Sequence, residues 1–161
     1  MGNHDALALK YHEDIDLFRD ALLYTEATTG FSTRFIEKDY YCSIILHDML
    51  ALFGLGMVFK GGTCLSKVYT VFYRMSEDLD FVIPMAINPS QSARRTEIQP
   101  LRNHLVGLPA RVRCFHEVEP LKGANLSKQY TGRYSYRSLV TGQDEFIKVE
   151  IVSRLARMIA D

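Results

Sequence analysis

The stretch Ser76-Glu77-Asp78-Leu79-Asp80-Phe81-Val82-Ile83 alternates polar and apolar residues, a pattern that suits an extended strand and not a helix. Asp78, Asp80 and Val82 fall on one face, and Leu79, Phe81 and Ile83 on the other. The apolar face requires a core to pack against, which fixes the register of this segment in a sheet. The opposite face holds two carboxylates side by side. At about 4 Å they repel by roughly 4 kcal/mol at an effective dielectric near 20, so the arrangement is unfavourable unless a cation or a proton intervenes. Magnesium, which favours carboxylates together with substrate phosphates, meets that need.

What precedes this strand points to a phosphate. Met57-Val58-Phe59 is a short apolar run that suits a strand leading into Gly61-Gly62. Thr63 can cap the next element, where Leu65, Val68, Tyr69 and Phe72 recur at helical spacing up to roughly Arg74. Glycines there let the backbone approach an anion, and a helix N-terminus offers free N–H groups to it. The motif lacks the second glycine and the Lys-Ser/Thr pair of a Walker loop, which leaves Gly61, Gly62, Thr63 and Ser66 as candidate triphosphate contacts. Arg74 and Ser76, just before the paired acids, complete that set, although an arginine at a helix C-terminus also suits the helix dipole.

The rest of the chain supplies layers for one unit, residues 1–161, with N-terminal helices over 1–56, the Gly-Gly segment and acidic strand over 57–84, and a helix plus strands over 85–161. Ile15, Phe18, Leu22 and Thr25 mark an amphipathic helix between Asp14 and Ala27. A second, starting near Ser32 or Thr33, carries Tyr41, Ile44, Ile45 and Met49 and is interrupted at Gly54. Asn88-Pro89-Ser90 opens a third, with Ile98, Leu101 and Leu105 in period and a bend expected at Pro100. Strands are expected over Ala110–Val118, Gly132–Val140 and Phe146–Ser153, the last two as a hairpin, with turns over 119–128 and 141–144. In the final strand Ile147, Val149 and Ile151 share one face while Lys148 and Glu150 share the other. If that strand neighbours the acidic one, Glu150 is a third oxygen ligand and Lys148 either neutralises a phosphate or pairs with the acids.

Composition narrows the function classes. Lys+Arg and Asp+Glu both number 19, so the chain does not coat nucleic acid by bulk charge. The balance is uneven: residues 1–90 hold 7 basic and 12 acidic side chains, residues 91–161 hold 12 and 7, and an anionic partner should meet the second part first. Basic residues from Arg94 to Arg137 interleave with Tyr130, Tyr134 and Tyr136, a mixture suited equally to RNA stacking and to a hairpin packed on the core. Cys42, Cys64 and Cys114 read as reduced, buried thiols, and His47 as a partly buried helix residue without a catalytic role beside Asp48. With no apolar run long enough to span a bilayer and no signal-peptide plan, a cytoplasmic protein without membrane contact is expected.

Phe59-Lys60-Gly61-Gly62-Thr63-Cys64-Leu65-Ser66-Lys67-Val68-Tyr69, followed by Arg74-Met75-Ser76-Glu77-Asp78-Leu79-Asp80-Phe81, resembles the signature of the AbiEii/AbiGii toxin family of nucleotidyltransferases. Glu37-Lys38-Asp39-Tyr40-Tyr41 resembles that family's N-terminal helix, and Ile147-Lys148-Val149-Glu150-Ile151 its strand with the third acid. The resemblance implies an α/β (α+β) polymerase-β-like nucleotidyltransferase fold, a mixed sheet flanked by helices. It further implies a toxin of a type IV toxin–antitoxin, phage-defence system, with a cognate antitoxin as partner and tRNA as an acceptor. Asp78, Asp80 and Glu150 would hold two magnesium ions, with Gly61, Gly62 and Thr63 around a nucleoside triphosphate. Members continue through a helical region with a Lys…Arg-Asp…Asp pattern, which is not found in the sequence up to Asp161. Two other readings therefore stand beside the transferase: a catalytically silent form that binds nucleotide or antitoxin, and a phosphotransferase using the same acids.

Overall fold

The computed structural model describes residues 10–53, 56–60, 78–86 and 88–155. A 3-10 turn, Tyr11–Glu13, precedes helix α1 (Ile15–Thr29) and helix α2 (Thr33–Phe53). Strands β1 (Val58–Lys60) and β2 (Asp78–Met85) follow, then helix α3 (Gln91–Val106), the short helix α4 (Leu108–Arg111), and strands β3 (Phe115–Ala124), β4 (Gln129–Arg137) and β5 (Asp144–Leu155). Together they form a mixed α+β architecture.

Helix limits follow local chemistry. Asp14 caps α1 by accepting from the Leu17 amide, and Gly30 closes it at φ 76°, a left-handed conformation that glycine adopts without a Cβ clash. Ser90 caps α3 by accepting from the Ala93 amide. The helix runs through Pro100, which faces outward, while Ile98, Leu101 and Leu105 stay buried on the other side.

The five strands form one sheet in the order β1-β2-β5-β4-β3. Only β2 and β5 run parallel; β1 with β2, β5 with β4, and β4 with β3 are antiparallel. One face of the sheet presents Leu79, Phe81, Ile83, Ile147, Val149, Ile151, Tyr130, Tyr134 and Tyr136 to a cluster that also holds Phe18, Leu22, Tyr41, Ile45, Met49, Ile98, Leu101 and Leu105. Helices and core therefore lie on this side. The other side carries the charged residues of β2 and β5.

Several expectations need correction. For the tyrosines of β4, suited in sequence equally to either role, the structure selects the hairpin packed on the core: Tyr134 is fully buried with its hydroxyl donating to the Leu105 carbonyl at 3.2 Å, and Tyr136 stacks on Tyr41 with ring centres 3.9 Å apart. Residues 108–111 are helical, so the strand expected from Ala110 begins at Phe115 and extends through the supposed turn to Ala124. Pro120 fits there because β3 is an edge strand, and register shifts flank Glu119 on both sides. The strand expected over 132–140 is Gln129–Arg137, since Glu37 holds the following turn. Its buried carboxylate accepts from the Ser138 hydroxyl at 2.5 Å and the Leu139 amide at 2.6 Å. Burial pushes the Glu37 pKa above the ordinary carboxylate range, with these hydrogen bonds opposing the shift. Cys42 is buried and Cys114 half-buried, both as reduced thiols, and Cys64 lies outside the described residues.

His47 is exposed, because it sits on the far side of α2 from Ile44, Ile45 and Met49. Its neighbour Asp48 instead joins three helices. Arg111 donates to both its carboxylate oxygens, at 3.0 and 2.8 Å, and His104 Nε2 lies 2.8 Å from Oδ2. Burial raises the Asp48 pKa, but hydrogen bonding and charge from Arg111, with His104, overcome it and leave the net shift downward. A depressed carboxylate stabilises the fold above the ordinary aspartate range and loses that contribution as pH falls through its folded value. Asp48→Asn should therefore lower stability near neutral pH by about 2 kcal/mol, between exposed and buried ion pairs. Urea melts at pH 7 and pH 3 check this, the difference from wild type narrowing at the lower pH.

Candidate active site

Strand pairing, rather than local sequence, brings the charged groups together. In the parallel β2–β5 pair, Asp78 lies opposite Lys148 and Asp80 opposite Glu150. Because side chains alternate, all four project from the face turned away from the core. β1 adds Lys60 opposite Asp80, while β4 places Thr131 opposite Glu150 and Arg133 opposite Lys148. The resulting patch crosses four strands.

Its electrostatics centre on Lys148. The ammonium lies 3.1 Å from Glu150 Oε2 and 4.0 Å from Asp78 Oδ2. Its pKa is held above the usual lysine range, chiefly by the hydrogen bond to Glu150. Asp80 is pushed above the ordinary aspartate range, first by burial and then by the Glu150 charge, with Asp78 adding to the rise and Lys60 and Lys148 opposing it. On β4 the Arg133 guanidinium sits 4.7 Å above the ring of Phe146 on β5 and donates to Glu119 at 3.0 Å.

Three hard-oxygen donors from adjacent strands are suited to magnesium, and Asp80, raised first by burial and then by the Glu150 charge, would be held ionised more readily by added positive charge. The donor set therefore fits a divalent ion. Among the described residues, however, no three His, Cys, Asp or Glu side chains are already converged to hold one. The Lys148 ammonium stands between Glu150 and Asp78 instead.

Of the residues expected at this site, Asp78, Asp80, Glu150 and Lys148 occupy neighbouring positions on one face. Gly61, Gly62, Thr63, Ser66, Arg74 and Ser76 lie outside the described residues. Lys60, Thr131 and Arg133 were not among the expected site residues, and for Thr131 and Arg133 only the strand register reveals them. Lys60 carried a weak signal, as the residue immediately before Gly61.

A family model described as the nucleotidyl transferase AbiEii toxin of type IV toxin–antitoxin systems matches residues 44–157, a span from α2 through β5 that includes every charged group above. The chain belongs to the AbiEii family. Membership implies a nucleoside triphosphate substrate, a divalent metal and a cognate antitoxin, and it agrees with the mixed sheet and helices of the fold. No match was found among curated proteins or among solved structures. Among the described residues, no helix is long and apolar enough to cross a membrane.

Proposed function

We propose that this chain is a magnesium-dependent nucleotidyltransferase toxin that moves a nucleotide from a nucleoside triphosphate to an RNA acceptor of the tRNA kind. The observation that supports it most is the parallel register that sets Asp80 beside Glu150 and Asp78 beside Lys148 on a face opposite the core. Membership of a nucleotidyltransferase family supplies the reaction class.

Asp78, Asp80 and Glu150 would hold magnesium, as two ions by the family resemblance. When bound, the metal lowers the cost of charge on the attacking and departing oxygens. An acceptor hydroxyl attacks the α-phosphorus in line, its proton passes to solvent water, and the bond from phosphorus to the α–β bridging oxygen breaks to release pyrophosphate. The β2–β5 platform fixes the acids on adjacent strands, so their orientation requires no rearrangement of a loop. Gly61, Gly62, Thr63, Ser66, Arg74 and Ser76 are assigned to the triphosphate in this reading, and Lys148 to neutralising charge on it.

The exposed Arg102, Arg113, Lys122, Lys128 and Arg137 favour an anionic acceptor. Action in the cytoplasm, restraint by an antitoxin and a role in phage defence complete the reading. Purified chain incubated with magnesium, RNA and either α- or γ-labelled triphosphates tests it. Label from the α position should enter RNA; transfer from the γ position would make the chain a phosphotransferase, and no transfer from either would overturn the assignment.

A further inference from the structure

We infer that Lys148 is a resident counter-ion that occupies the place of the divalent metal and must move aside for the metal to enter. This rests on the proposed cation site, and goes beyond it by assigning Lys148 a role in metal exchange. The ammonium makes its shortest contact with Glu150, at 3.1 Å, and its next with Asp78, at 4.0 Å, both proposed metal ligands from different strands. It reaches them because Lys148 lies two residues before Glu150 on the same face of β5 and directly opposite Asp78. A four-carbon stem with rotatable bonds lets the charge leave without backbone movement.

The arrangement puts the Lys148 charge between carboxylates carried by two adjacent strands. Lysine supplies only one unit of positive charge, with Glu150 at hydrogen-bond distance and Asp78 farther off at 4.0 Å. A divalent ion adds more charge and demands oxygen ligands, while the ammonium beside it becomes a repelling neighbour. Entry of the metal and departure of Lys148 are thus one exchange. The displaced ammonium then has an attractive destination in the anionic triphosphate, which links metal loading to substrate loading.

Direct measurement of Mn2+ affinity in the absence of nucleotide, by electron paramagnetic resonance, reads the exchange without any activity. Lys148→Met removes the competing charge while retaining much of the stem, and Lys148→Arg keeps it; melting curves establish that both are folded, with Lys148→Gln replacing a variant that is not. Lys148→Met should bind Mn2+ on the order of ten-fold more tightly than wild type, with Lys148→Arg close to wild type. Unchanged or weaker binding by folded Lys148→Met would overturn the counter-ion assignment alone if wild type binds Mn2+ and Asp80→Asn does not. Absence of binding in every variant would overturn the cation site itself.

Discussion

Asp80→Asn is expected to lower α-label transfer by on the order of 1000-fold while leaving the protein folded. Changes to groups that merely orient metal ligands cost roughly 10- to 100-fold, and a ligand itself should cost more. The asparagine keeps the size and a carbonyl oxygen but removes the negative charge. Asp80 is half-exposed on the face opposite the core, so packing changes little. Relief of repulsion from Glu150 and Asp78 should even stabilise the fold slightly, because burial and those neighbours are what raise its pKa. Reduced transfer accompanied by an unchanged or higher melting temperature distinguishes loss of chemistry from loss of structure. Transfer at the wild-type rate would remove Asp80 from the reaction.

Phe81→Ala should have the opposite signature, a large loss of stability. Phe81 is fully buried on a central strand, and its ring centre lies 5.3 Å from that of Phe59 on β1. Truncating a buried phenylalanine costs about 3–5 kcal/mol, through lost transfer energy and the cavity left behind. For a domain of this length that corresponds to a fall in melting temperature of roughly 10–15 °C. Because Phe81 follows Asp80 on the same strand, the cavity also loosens the support of the acids. Calorimetry should show the stability loss, and transfer at low temperature should fall by much less than in Asp80→Asn.

These two substitutions also show what the sequence made legible. Alternation alone separated Asp78 and Asp80 from Leu79 and Phe81, and Lys148 and Glu150 from Ile147, Val149 and Ile151. It did not show that β2 and β5 are neighbours. Their pairing depends on how helices, turns and two other strands pack between them in sequence, a long-range property absent from any local pattern. The same limit concealed the tyrosines: period two places Tyr130, Tyr134 and Tyr136 on one face, but only the helices above identify that face as the interior. Edge strand β3 was obscured by Pro120 and by a run of exposed positions, which a strand with one free edge tolerates. Asp48 was discounted because His47 cannot pair with it along a helix; its partners come from α3 and α4.

Titration of Mn2+ into isotopically labelled chain, followed by amide resonance broadening, tests the convergence of these acids most directly. Signals from residues 78–80 and 148–150 should be lost early, with Lys60 and Thr131 following and the buried face of α3 spared. Intact signals from both strands at saturating Mn2+, or broadening centred on the helices, would contradict it.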